Sequence, residues 1–281
     1  MNERSSPEVL LPRKTIARPV ELRGMGVTTG REVTVTLRPH GDGLVFRRLD
    51  TGAEVRPSPA AARLGPSWSA LGEGDAEVRI TEHLLACLAA AGVTDLLVET
   101  TGPELPLGDG SARQWWALLA EAGIREIGTS IERLAIAEPV TVHDPKAGQT
   151  LAAFPADFWR LVYILDWPHQ TVGLQVARFT VGHDDFAAEL APARTFTLAD
   201  DARRAKQAGL FPGGSEDNLI VVHDDRLSAD PGLPNAFARH KLLDLLGDLY
   251  LLGRPIRGLF VAYNSGHRLN HQLVARLADL L

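Results

Sequence analysis

Cysteine is nearly missing from this chain: Cys87 is the single thiol in 281 residues, so no internal disulfide can form. That usage suits a reducing compartment. Long apolar runs are missing too. The longest, 84–93, is about half the roughly 20 residues a membrane-spanning helix needs. Basic excess is missing as well, since 29 Lys and Arg face 35 Asp and Glu for a net charge of −6. The chain therefore has no general attraction to nucleic acid or to an acidic lipid surface. Its first residues lack the basic-then-apolar order of a signal peptide. A soluble cytoplasmic protein is expected, with no nucleic-acid partner and no stable membrane insertion. The apolar fraction of 45% is that of a globular protein with a sizeable core. The length allows one large domain or two of average size.

The most informative stretch is 239–250, Leu-rich, free of Pro and with one internal Gly. Wound as a helix at roughly 100° per residue, it gathers His240, Lys241, Asp244 and Asp248 within an arc of about 100°. Leu242, Leu246, Leu249 and Tyr250 take the opposite face. His240 and Asp244 stand at i and i+4, the separation that zinc sites on helices use. A solvated face of mixed charge is the competing reading, because such pairs also stabilise surface helices.

Along the chain, 1–13 reads as a loose tail. Residues 33–37 alternate as a half-buried strand, and 44–49 reads as another. The loop 24–30 is glycine-rich, but it lacks the Lys-Ser/Thr that opens the helix of a phosphate-binding loop. Residues 57–75 read as irregular. A helix follows over 81–92, then a strand at 95–100, a loop at 102–111 and a helix at 112–122. The end of the chain repeats this order: helix 240–252, strand 258–263, loop 264–266, helix 267–280. Each first helix opens with a histidine followed closely by Leu-Leu. An internal duplication is the better reading, with domains at 1–128 and 129–281. Between them lie strands at 158–167 and 218–222, and a turn at 168–175 that leads into a further strand. Residues 186–190 are too short to assign to helix or strand, 191–196 is irregular, and 209–215 is a tight turn. His40, His143, His183 and His223 read as loop residues and His271 as a polar position on the last helix.

If the halves face each other, His83 approaches His240 and Asp244. Two histidines, one carboxylate and an open position form a catalytic zinc arrangement. Glu82, beside His83, is placed to take a proton from water there.

The chain resembles the UDP-3-O-acyl-N-acetylglucosamine deacetylases, zinc amidases of lipid A biosynthesis, over 13–281. The resemblance is carried by Val78-Arg-Ile-Thr-Glu-His-Leu-Leu85, Gly102-Pro-Glu104 with Asp109-Gly-Ser111, Leu165-Asp-Trp-Pro-His169 and Ala193-Arg-Thr-Phe196. Gly213-Gly-Ser-Glu-Asp-Asn218, Arg239-His-Lys-Leu-Leu-Asp244 with Gly247-Asp248, and Ser265-Gly-His267 complete it in order. It implies an α+β fold of two similar domains, each a sheet layered with two helices, the helices sandwiched between the sheets. It also implies Zn²⁺ on His83, His240 and Asp244, and Glu82 as the base. Thr195 would help stabilise the oxyanion. His267, oriented by Asp248, would protonate the leaving amine. Lys241 would add positive charge at the reaction centre and contact substrate, Phe196 would pack against it, and Phe211 and Gly214 would line an acyl passage. The substrate would be an acylated UDP-sugar and the protein a monomer.

The chain departs from the family pattern at Thr28, where a histidine is usual, and at Ile80-Thr81, where Thr-Val is usual. It departs again at Asn264, commonly basic, and at Phe211, usually smaller. Small insertions near the active site are expected at 57–75 and 168–190.

Overall fold

The computed structural model describes residues 10–280. The first half contains β1 (Leu10–Ile16), β2 (Val20–Met25), β3 (Glu32–Pro39), β4 (Leu44–Arg48) and β5 (Glu54–Val55). It continues through β6 (Ala62–Leu64), β7 (Ser69–Leu71), β8 (Val78–Arg79), α1 (Glu82–Ala91), β9 (Leu96–Thr100) and α2 (Arg113–Ala122). After β10 (Ile124–Glu132) come β11 (Leu134–Ala135), β12 (Val140–Asp144), β13 (Gln149–Phe154), β14 (Trp159–Trp167) and β15 (Gly173–Thr180). The chain ends with α3 (Phe186–Glu189), β16 (Phe196–Leu198), α4 (Ala199–Gln207), β17 (Ile220–Val222), α5 (Ala236–Leu249), β18 (Ile256–Tyr263) and α6 (His267–Ala278).

This is an α+β fold with two large mixed sheets. One has the order β2-β3-β9-β4-β5 and the other β12-β13-β18-β14-β15, with β11 added alongside β18. In both, successive neighbours pair antiparallel, antiparallel, parallel and antiparallel. The central strand of each, β9 or β18, follows one helix and precedes another. The alternation read in 33–37 is visible in β3, where Val33, Val35 and Leu37 are buried and their neighbours are not. α1 packs against α5, α2 against α1 and β2, α5 against β14 and β15, and α6 against β12 and β13. Leu84, Leu85 and Leu88 of α1 join Leu242, Leu245 and Leu246 of α5 in one continuous buried cluster. Each such leucine contributes about 1.5–3 kcal/mol.

Gly247 explains how close α1 and α5 come: a Cβ there would lie 2.0 Å from the Glu82 carbonyl oxygen. Glycine in a helix interior costs about 1 kcal/mol relative to alanine. The close approach it permits sets the backbone that carries Glu82 and His83 directly on the helix that carries His240 and Asp244.

Several expectations need correction. Residues 10–13, read as tail, belong to β1, which pairs with β10 from Leu10↔Glu132 to Ile16↔Ile124; residues 1–9 lie outside the described residues. Within 57–75, β6 and β7 form a small sheet with β8, whose ladder rather than any apolar periodicity holds it. Residues 173–180, inside the expected insertion, are a full strand of the second sheet, paired with β14. His143 sits in β12 rather than a loop. Helix α4, strongly polar, and strands β12 and β13 had no sequence expectation. Among the described residues no helix is long and apolar enough to cross a membrane.

Candidate active site

The polar face of α5 is not solvated. His240 is 2% exposed, Asp244 3% and Asp248 0%, which overturns the surface-helix alternative. Buried ionisable groups of this kind must be paired or must hold a cation. His240 directs Nδ1 at the Ala193 carbonyl, 3.2 Å away, leaving Nε2 toward Asp244 Oδ1 at 3.5 Å. From α1, His83 Nε2 reaches the same oxygen at 3.7 Å. The two imidazoles meet edge to face with centroids 5.3 Å apart.

Among the described residues these three are the group able to hold a metal ion, with one donor atom from each lying within 4.8 Å of the others. Their chemistry fits zinc, which takes imidazole and carboxylate in catalytic sites. Burial pulls the His240 pKa down to about 3, so its ring is the neutral form that ligation requires. Burial pushes the Asp244 carboxyl up, but His240 and Lys241 more than reverse this and keep it a carboxylate. Lys241 Nζ donates to Asp244 Oδ2 at 2.9 Å.

Glu82 lies beside this triad, 4% exposed, and its Oε2 is buried without a hydrogen-bond partner among the described residues. Burial raises its pKa, opposed by His267 and His83. The turn before it is strained. Ile80 takes φ 59°, a left-handed conformation that costs a β-branched residue of order 1–3 kcal/mol. Its N–H donates to the Ser69 carbonyl at 2.8 Å.

His267 Nε2 stands 3.9 Å from Glu82 Oε1, and its Nδ1 donates to Asp248 Oδ2 at 2.8 Å. Burial lowers the His267 pKa, but the Asp248 charge reverses this and lifts it to about 9. Burial likewise raises the Asp248 carboxyl, and His267 brings it well below the usual range. Asp248 also receives Asn270 Nδ2 at 2.8 Å and Ser69 Oγ at 2.5 Å. Sequence reasoning missed Ser69 and Asn270, and it read His271, now beside Ser69 at 2.9 Å, as an ordinary polar position. A serine in an irregular stretch carries no signal of that kind.

These groups open on one cavity of about 1050 Å³. Thr195, Phe196, Phe211 and Gly214 line it, together with Glu82, His83, Lys241 and His267. The Phe196 ring packs on Phe237 at 4.6 Å and His240 at 5.8 Å, with Lys241 Nζ 5.6 Å from its centroid. Phe211 also takes a left-handed φ of 54° and sets its ring edge-on to Trp68, centroids 5.2 Å apart. Thus Phe211 both walls the cavity and packs on a neighbour. Leu64, Trp68, Leu210 and Ala205 add apolar surface to the lining, and Gln149 and Arg268 add polar groups to it.

The loop 24–30 turns two of its N–H groups onto a carboxylate of the protein itself. The Thr28 and Thr29 N–H groups both donate to the buried Glu104 carboxylate at 2.8 Å. Asn264, φ 51°, uses its side chain to bind the Asp166 backbone at 2.9 and 2.8 Å.

The family model described as LpxC, UDP-3-O-acyl N-acetylglycosamine deacetylase, matches residues 13–279. A UDP-3-O-acyl-N-acetylglucosamine deacetylase of Myxococcus xanthus is 40% identical over 272 residues, covering 94% of this chain and 86% of that protein. One from Synechocystis is 39% identical over 274 residues, covering 94% of this chain and 98% of that protein. A third, from Geobacter, is 34% identical over 271 residues, 94% and 88% of the two chains. With its matched length and its buried His-His-Asp group, this chain belongs to the UDP-3-O-acyl N-acetylglycosamine deacetylase family.

Proposed function

We propose that the chain hydrolyses the acetamide of UDP-3-O-acyl-N-acetylglucosamine, releasing acetate and the free amine, with Zn²⁺ held by His83, His240 and Asp244. One observation carries the reading: a buried His-His-Asp group with Glu82 and His267 beside it, 3.9 Å from each other, all facing one cavity. Zinc, when bound, supplies Lewis acidity that polarises the acetamide carbonyl and makes water easier to deprotonate. Glu82, its pKa raised by burial, takes the proton from the attacking water. The Thr195 hydroxyl and the Lys241 ammonium stabilise the negative charge that grows on the carbonyl oxygen. His267, cationic below about pH 9, gives its Nε2 proton to the leaving nitrogen as the C–N bond breaks. Asp248 holds that ring by Nδ1. Glu82 gains one proton and His267 loses one, so transfer of the Glu82 proton to His267 Nε2, 3.9 Å away, returns both to their starting states.

Phe196 positions the sugar ring. The apolar lining by Phe211 and Gly214 takes the acyl chain, and the polar lining at Arg268 faces the UDP. Residues 1–128 and 129–281 act as two similar α+β domains, each a sheet with two helices and the helices sandwiched between the sheets, a reading supported by the shared strand order and pairing. The working unit is a cytoplasmic monomer. Incubating zinc-loaded protein with the acylated UDP-sugar, and with simple N-acetylglucosamine compounds, tests the reading. Acetate release from the UDP-sugar alone is expected. Equal turnover of the simple compounds would reject the substrate assignment.

A further inference from the structure

We infer that Ser69 and His271 are positioning residues of the His267–Asp248 pair, with Ser69 Oγ as the hub that fixes which carboxylate oxygen faces His267; this rests on the acid role proposed for His267.

The argument is a count of protons and lone pairs. Ser69 Oγ lies 2.5 Å from Asp248 Oδ1, 2.9 Å from His271 Nε2 and 3.1 Å from His267 Nδ1. Asp248 is a carboxylate and can only accept, so the single Ser69 hydroxyl proton goes to Oδ1. Both imidazoles must then donate. The His271 Nε2–H points at the Ser69 oxygen. The His267 Nδ1–H takes the shorter contact, 2.8 Å to Asp248 Oδ2. Asn270 Nδ2 donates to that same Oδ2 at 2.8 Å. Oδ1 is thus committed to Ser69 and Oδ2 to His267 and Asn270, so the carboxylate cannot rotate. His271, by donating to one of the two Ser69 lone pairs, cannot accept the hydroxyl proton, which is left to Asp248. Direct pairing of His271 Nε2 with Asp248 Oδ1 is longer, at 3.4 Å.

The hub also joins the two proton-handling sides of the site. Ser69 is fully buried on β7, far in sequence from α5 and α6, and its carbonyl accepts the N–H of strained Ile80, two residues before Glu82. Through one residue the small sheet β6-β7-β8 therefore touches the turn that aims Glu82 and the carboxylate that aims His267.

A double-mutant cycle tests this. Ser69→Ala, Ser69→Thr, His271→Ala and His271→Gln are made in the parent and in His267→Ala, and kcat, KM and bound zinc are measured. Ser69→Ala should lower kcat about tenfold, the worth of one hydrogen bond to a charged group, with KM and zinc within twofold. Ser69→Thr, which keeps the hydroxyl, should restore most of the loss, and His271→Gln, which keeps an N–H donor, should lose less than His271→Ala. In His267→Ala neither substitution should cost anything more. A full additional loss in that background, or parent kcat in both alanine variants, overturns the inference. If Ser69→Ala does not fold, the same cycle read on His271 decides. If His267→Ala alone keeps parent kcat, the acid role fails, and the positioning role with it.

Discussion

Gly247→Ala places a methyl carbon where α5 touches the backbone of α1 at Glu82. That carbon would sit 2.0 Å from the Glu82 carbonyl oxygen and 2.8 Å from its carbonyl carbon, against 3.4 Å for an ordinary contact. Neither neighbour is a flexible side-chain end, so the helices must separate by about 1.4 Å, the difference of those two distances. Glu82 and His83 move with α1, whereas His240 and Asp244 stay on α5. A misplacement of about 1 Å costs about 10²-fold in rate. Stability should change less, because alanine gains about 1 kcal/mol of helix propensity against about 1–3 kcal/mol of overpacking. The assay pairs kcat on the acylated UDP-sugar with a thermal melt. A large fall in kcat with a shift of only a few degrees in Tm is expected. Parent kcat in a folded Gly247→Ala protein would refute the reasoning that this contact sets the site.

Glu82→Ala should retain zinc and lose about 10²–10⁴-fold in turnover, the usual worth of a general base; parent turnover would remove Glu82 from that role. For Asp248→Asn the sign follows from the His267 pKa. The acid must be protonated, and Asp248 is the largest influence raising that pKa, to about 9, against the downward pull of burial. The alkaline limb of kcat should therefore move to lower pH by about one unit or more, each unit being tenfold in the protonated ratio. An unmoved limb in a pH–rate profile would dissociate Asp248 from it. Phe211→Ala should widen the cavity beside Trp68 and shift preference toward longer acyl chains, by about 1–3 kcal/mol per methylene at most. An unchanged preference across graded chain lengths would show that this ring does not gate it.

Much of the frame was legible because its signals are local. α1 and α5 declare themselves by leucine content and by the His and Asp spacing. β9, β18 and α6 follow from the repeated order of elements. Burial of the polar face of α5 was not legible, since i and i+4 spacing is the same on a solvated helix and on one facing a cavity. The sheet formed by β6, β7 and β8 escaped because its strands are only two or three residues long, too short to show an alternation among the Gly, Pro and Ser residues around them. α4 escaped for a different reason: its only apolar residues are alanines and none of its residues is buried. The network at Asp248 depends on Ser69, 179 residues away, a contact that no periodicity reports.

The central claim is that His83, His240 and Asp244 together hold zinc. Crystals of the zinc-loaded protein, measured at the zinc absorption edge, test it most directly. The account predicts one strong anomalous peak in bonding contact with all three side chains, about 2.0–2.2 Å from each donor atom, and its loss in His240→Ala. A peak elsewhere, or full zinc occupancy in His240→Ala, would contradict it.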